Sequence, residues 1–220
     1  MNKEIKLSII IPMYTVAPYV ERCLKSLANQ DIPFEDYEII CVNDGSPDNC
    51  SVIVLDLQKE IPNIILLEQE NQGVSIARNN GIALAKGEYI MMIDGDDYVV
   101  ENSLKRILSL AKQKNSDVLY LGFEDINLEG TSSWATNYLN QEGKVYSGIE
   151  GYFAARGNEV KAPDRSWAIL YRKELLDTYT IKYPENVPYL EDGLFLAKIF
   201  SVANMVCFDS SNFYYFITRV

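Results

Sequence analysis

The 220-residue chain carries 31 acidic against 20 basic residues, a formal net charge of −11, and no histidine. That balance argues against a general basic surface for long nucleic acids and against a basic membrane-binding helix. The missing histidine removes a Ser-His-Asp triad, a Cys-His pair and a His-ligated zinc site, leaving acid–base work to carboxylates, Tyr, Lys or Cys.

An anionic substrate therefore has to be held locally, by a metal, an arginine or helix amides. With 48% hydrophobic and 23% charged residues, the chain can bury the core of one large α/β domain or two tightly fused halves. Its longest apolar runs, 7–12 and 89–93, are strand-sized, and none approaches the roughly 20 residues of a membrane-spanning helix. The N-terminus enters a strand pattern without a signal-peptide core, which predicts a cytoplasmic protein. Cys23, Cys41, Cys50 and Cys207 lack a paired metal spacing and are expected to be buried, reduced thiols.

In chain order, residues 7–11 read as a buried strand stopped by Pro12, and 19–30 as a helix with Val20, Cys23, Leu24 and Leu27 on one face. Residues 37–42 form a second strand, and Asp48 opens a helix to about 61. A third strand covers 64–67, a third helix 73–85, and a fourth strand 88–93 breaks at Asp94. Strands alternating with helices predict an α/β fold whose central sheet is mainly parallel, with ligands bound beyond the strands' carboxyl ends. The second half is less regular. A helix over 101–114 precedes a strand over 117–123, then a polar, turn-rich stretch over 124–146. An apolar run at 167–171, a helix over 193–201 and two strands, 205–208 and 213–217, follow. The chain stops directly after that Tyr/Phe-rich strand, which reads as a boundary inside a longer protein.

Four polar clusters carry chemistry. Asp94-Gly95-Asp96-Asp97 offers hard oxygen ligands of the kind Mg²⁺ or Mn²⁺ prefers, and the alternative is a solvated turn. Gly95 is expected to let that turn fold tightly. In Asn43-Asp44-Gly45-Ser46-Pro47-Asp48, Asp44 can accept hydrogen bonds from a base or ribose, while Asp48 is placed as an N-cap. The segment 71–81 opens a helix with Gly73 and carries Arg78, either a phosphate ligand, a partner that orients Asp44, or a surface arginine. Glu191-Asp192 precedes an apolar helix, where acids favour the helix start for electrostatic reasons alone. Beside a metal site they become candidates for the carboxylate base that a histidine-free transfer reaction needs. Trp167 is the aromatic residue singled out for stacking on a sugar.

Taken in this order, the segments resemble the family 2 glycosyltransferases of bacterial polysaccharide synthesis. The opening Ser8-Ile9-Ile10-Ile11-Pro12-Met13-Tyr14 is similar to that family's first strand and base-binding loop, and the other motifs follow at typical spacing over nearly the whole chain. The resemblance implies a GT-A nucleotide-diphospho-sugar transferase fold, with a donor-binding half over 1–97 and an acceptor-binding half over 98–220. It implies that Pro12 and Tyr14 meet the base, that Asp44 binds it with Arg78 in support, and that Asp94 meets the ribose. Asp96 would ligate Mn²⁺ or Mg²⁺ on the donor's diphosphate, with Asp94 and Asp97 beside it. Asp192, next to Glu191, would be the catalytic base of an inverting single displacement.

The implied partners are a nucleotide-sugar donor, with uridine expected, and a glycan or lipid-linked saccharide acceptor at the inner face of the membrane. Nucleic acid is not an expected partner. Two positions depart from the family pattern: Thr15 stands where Asn is usual, and Asn43 where many members have Asp. The rival readings are a sugar nucleotidyltransferase, whose Gly-rich basic first loop is missing from 12–18, and an inactive nucleotide-sugar-binding relative.

Overall fold

A computed structural model of the chain describes residues 4–127, 129–136, 138–157, 164–187 and 189–218. Two compact units, Met1–Lys105 and Arg106–Val220, divide the chain.

The first unit is built from β1 (Leu7–Met13), β2 (Tyr37–Asp44), β3 (Ile64–Gln69) and β4 (Tyr89–Met92), with a two-residue β5 (Tyr98–Val99) after them. The first four lie parallel in the order β3-β2-β1-β4, with Leu7 opposite Tyr37 on one side and Tyr89 on the other, and Ile39 opposite Ile64. Burial of Ile9, Ile10, Ile11, Ile39 and Ile40 is complete. Each such side chain contributes roughly 1.5–3 kcal/mol. Strands buried on both faces need continuous apolar runs rather than alternation, which is why these segments stood out in the sequence.

The crossovers are helices α1 (Ala17–Ala28), α2 (Cys50–Leu57) and α3 (Val74–Leu84). Helix α1 carries proline in its first turn and buries Val20, Cys23, Leu24 and Leu27, the predicted stripe. Helix α2 is shorter than expected and gives way to turns after Leu57.

Pro12 sits inside β1 without breaking the sheet. The Ile10 carbonyl accepts from the Ile93 N–H at 3.0 Å, so even-numbered positions of β1 face β4. Pairing with β4 stops at Ile10, so position 12 lies beyond it and needs no donor there.

Helix α4 (Leu104–Lys114) leads into the second unit, where β6 (Val118–Asn127) is central. It runs antiparallel to β7 (Ser132–Thr136) and β8 (Ile169–Arg172), and parallel to β9 (Val206–Thr218). Helices α5 (Gly148–Arg156), α6 (Lys173–Thr178) and α7 (Glu191–Val202) complete it.

The polar stretch after 123 is therefore partly sheet. Strand β6 continues to Asn127 because Asp125, buried, accepts from the Thr218 hydroxyl at 2.5 Å and the Ser133 hydroxyl at 2.9 Å. Residues 128 and 137 of that stretch lie outside the described residues. The two C-terminal strands of the sequence reading are one, joined through a polar irregularity where Asp209 pairs with Arg106. All four cysteines are buried and free. Among the described residues no helix is long and apolar enough to cross a membrane.

Candidate functional site

In the first unit, parallel strands deliver polar groups to one edge: Tyr14 after β1, Asp44 at the end of β2, residues 70–73 after β3, and Asp94–Asp97 after β4. The Tyr14 ring is 49% exposed, an open aromatic face at this edge. Its neighbour Thr15 adopts φ 55°, a left-handed conformation that β-branched residues resist. The Thr15 N–H donates to the Ser46 hydroxyl at 2.8 Å, which holds the backbone there. Asparagine, usual in the family, tolerates this region. Thr15→Asn is expected to stabilise the chain by about 1 kcal/mol, ~2–4 °C in Tm by calorimetry. An unchanged or lower Tm would show that the local hydrogen bonds already remove the strain.

Asp44 is 4% exposed. One carboxylate oxygen accepts from the Gln69 side chain and the Gln72 N–H, the other from the Gly73 N–H, each at 2.8 Å. Asn80 on α3 in turn donates to the Gln69 side chain at 2.8 Å. Asp44 thus fastens the loop that enters α3, using three of a carboxylate's roughly four lone-pair sites. The departure at Asn43 has a physical reason. Its amide donates to the Glu68 carboxylate at 2.6 Å and to the Ser51 hydroxyl at 2.7 Å, and its oxygen accepts from the Ser46 N–H at 2.9 Å. An aspartate would set two carboxylates face to face.

Asp48 is not the N-cap that the sequence suggested. The N-cap of α2 is Asn49, without a side-chain bond. Asp48 accepts from the Ala17 N–H at 2.8 Å, the Ser46 hydroxyl at 2.7 Å and the Cys50 N–H at 3.1 Å, tying the starts of α1 and α2 together. Burial pushes its pKa up, but these donors outweigh burial and hold it at about 2.

Arg78 is 5% exposed and pairs with Asp94 at 3.2 Å, which replaces both the surface arginine and the Asp44 partner of the sequence reading. Gly81 makes this reach feasible: a Cβ there would lie 2.4 Å from Ile10, so only glycine lets α3 pack this closely on β1. In the first turn of α3 the Ser75 hydroxyl is buried with no hydrogen-bond partner among the described residues. Sequence reasoning missed it.

The Asp97 N–H donates to the Asp94 carbonyl at 3.1 Å and closes the turn. Gly95 takes no left-handed backbone angle, and a Cβ there would make a tight 3.2 Å contact with the Val16 side chain. The side chains of Asp94 and Asp96 stay partly open, whereas Asp97 is 1% exposed. Behind the turn, the Cys23 thiol is pushed well up by burial, then by Cys41 and by Asp97, Asp96 and Asp94, which makes it inert. Arg22 on α1, also missed, donates to the Asp96 carbonyl at 3.0 Å and lies 4.6 Å over the Tyr98 ring. An exposed helical arginine 74 residues away carries no local signal of that contact.

In the second unit, Leu190 takes φ 63° and starts α7 abruptly, leaving Glu191 and Asp192 in its first turn, both partly open. Asp192 accepts from the Ser166 hydroxyl at 2.9 Å and the Ser166 N–H at 3.3 Å. Trp167 is 6% exposed, with stacked contacts to Tyr214 at 4.7 Å and Phe216 at 5.3 Å and an edge contact to Phe123. Its faces belong to the core, so the sugar-stacking expectation does not hold.

Among the described residues, no three His, Cys, Asp or Glu side chains form a group able to hold a metal ion. The expected trio Asp94, Asp96 and Asp97 is therefore not a cage. Two partly open carboxylates on one turn suit instead an ion of the Mg²⁺ type, which takes one or two carboxylates and completes its shell with substrate phosphates and water.

Residues 8–186 match the family model described as Glycosyl transferase family 2. An uncharacterized glycosyltransferase of Bacillus subtilis, EpsJ, is 34% identical over 203 residues, covering 90% of this chain and 57% of its own length. A poly(ribitol-phosphate) beta-glucosyltransferase of Bacillus spizizenii is 29% identical over 216 residues, 97% of this chain and 32% of its own. The chain thus spans well under two thirds of either relative. The solved structure of Staphylococcus aureus TarS residues 1–349 with UDP-GlcNAc aligns over 98% of this chain and 59% of its own, with TM-score 0.82 and 26% identity. That likeness bears out the GT-A fold.

Proposed function

Because the chain belongs to glycosyl transferase family 2, we propose that it moves a sugar from a UDP-sugar to an acceptor hydroxyl, with inversion, in the synthesis of a cell-surface glycan. The observation that carries this is the buried Arg78 paired with the partly open Asp94, beside the partly open Asp96, at the carboxyl edge of a parallel sheet. Nucleotide ligands belong at that edge. The UDP-GlcNAc bound to the related TarS supports uridine. The relative named poly(ribitol-phosphate) beta-glucosyltransferase supports an acceptor of the surface-polymer type; a glycan or lipid-linked saccharide at the cytoplasmic face of the membrane is our proposal alone.

In this assignment residues 1–97 hold the donor and 98–220 the acceptor. Tyr14 stacks on the base, and Arg78 fixes Asp94 for the ribose. Asp44 acts chiefly by holding the β3–α3 loop against which the base lies. Asp96, with Asp94, holds a Mn²⁺ or Mg²⁺ ion, and Asp97 packs behind them. When bound, such an ion neutralises charge on the departing diphosphate. Asp192 takes the acceptor hydroxyl's proton as that oxygen attacks the anomeric carbon, and Glu191 adds negative potential beside it.

The test is a thermal-shift screen of UDP-glucose, UDP-GlcNAc and GDP-mannose with Mn²⁺ or with EDTA, followed by assay of UDP release. Stabilisation by a UDP-sugar that needs Mn²⁺, with UDP released on adding acceptor, is the expected result. Pyrophosphate release from a nucleoside triphosphate and a sugar phosphate would instead make it a nucleotidyltransferase.

A further inference from the structure

Proton abstraction depends on which way the base points, and for Asp192 contacts from outside α7 bear on it. Ser166 is fully buried and turns both of its donors on the one carboxylate, its hydroxyl at 2.9 Å from one oxygen and its N–H at 3.3 Å from the other. Ser166 is itself held in place. The Tyr171 hydroxyl, on β8 and fully buried, donates to the Ser166 carbonyl at 3.0 Å. The same Tyr171 ring makes an edge contact with Phe195 of α7 at 5.6 Å, and Tyr183 stacks on the other side of Phe195 at 3.9 Å. The strand that carries Tyr171 and the helix that carries the carboxylate are thereby packed together.

We propose that Ser166 is a positioning residue for Asp192, a two-donor clamp that orients the carboxylate and favours its charged form, with Tyr171 fixing the clamp. The inference rests on Asp192 being the base. Two donors to a carboxylate stabilise the anion and bias its orientation. A base held this way loses little rotational freedom when substrate arrives. The charged or titratable groups nearby include Glu191 on α7, Asp164 against Gly193, Arg165 next to Ser166, Tyr171, and the buried Tyr183 and Tyr120. Burial pushes the Tyr171 phenol far up, so it stays neutral and acts only as a hydrogen-bond donor. None of these groups changes in the variants below except the Tyr171 hydroxyl itself.

The full chain is assayed as Ser166→Ala, Ser166→Thr, Tyr171→Phe and Asp192→Asn. UDP release is followed from UDP-GlcNAc or UDP-glucose with Mn²⁺ and a poly(ribitol-phosphate) acceptor. S166A is expected to lose roughly 10-fold in kcat with donor KM within about twofold of the parent, and its acid limb of kcat to move to higher pH. S166T, which keeps the hydroxyl, recovers most of the rate. Y171F shows a smaller loss of the same kind and stands in for S166A if that variant does not fold.

A parent-like kcat and pH profile in S166A, beside an inactive D192N, overturns the clamp and leaves the base assignment standing. A loss with an unmoved acid limb, or one confined to KM, also overturns it, because packing alone would produce that. An active D192N overturns both.

Discussion

Asp192→Asn is expected to retain donor affinity and lose about 10²- to 10⁴-fold in turnover, the usual contribution of a general base. That corresponds to roughly 2.7–5.5 kcal/mol on the barrier. The amide has the shape of the carboxylate but cannot take the acceptor proton. The Ser166 hydroxyl can still donate to the amide oxygen, while the Ser166 N–H would face a second donor, so the carboxamide loses one of two bonds. A thermal melt therefore accompanies the kinetics, to show that the loss is chemical. Donor binding, assigned to the first unit, should be unmoved. Turnover at the parent rate would remove Asp192 from the chemistry and return Glu191-Asp192 to a plain acidic helix start.

Asp96→Ala should abolish the dependence of donor binding on divalent metal. The substitution deletes only the carboxylate: Arg22 holds the Asp96 backbone carbonyl, and the turn closes through the Asp94 carbonyl and the Asp97 N–H. Loss of partners that merely support a metal ligand costs about 10- to 100-fold in affinity, so loss of a direct ligand should cost at least that. At 100 times the dissociation constant a ligand stabilises its protein by about 2.7 kcal/mol, or ~5–10 °C for a chain of this size. In the variant that shift should vanish with Mn²⁺ present, as it should for the parent in EDTA. Equal shifts in variant and parent would place the ion elsewhere or nowhere.

Most of the first unit was legible because β1, β2 and β4 are buried along their length and so had to be continuous apolar runs, each leading to a polar residue at one edge. Their partners were not legible. Asp44 reads as a ligand-binding acid until Gln72 and Gly73, 28 and 29 residues on, return to occupy its oxygens. Asn43 looks like a lapse from the family pattern until Glu68 comes alongside.

In the second unit, α5 was missed although Ser147 and Glu150 form a capping box, a readable signal that was passed over. Strand β7 and the middle of β9 were missed because polar residues there satisfy one another across the sheet, and periodicity cannot see a hydrogen bond made at long range. The Ser166–Asp192 clamp spans 26 residues and was invisible for the same reason.

The two bonds that Asp44 accepts from the β3–α3 loop, with a third from Gln69 at the end of β3, have a consequence for how a donor is received. A loop already fixed by a buried anion has little conformational entropy left to surrender, so association there should approach lock-and-key behaviour. Amide exchange across 70–73 should be slow before any nucleotide is added and change little afterwards. Freeing that loop, as Asp44→Ala would, should weaken capture in part through the ordering it then requires.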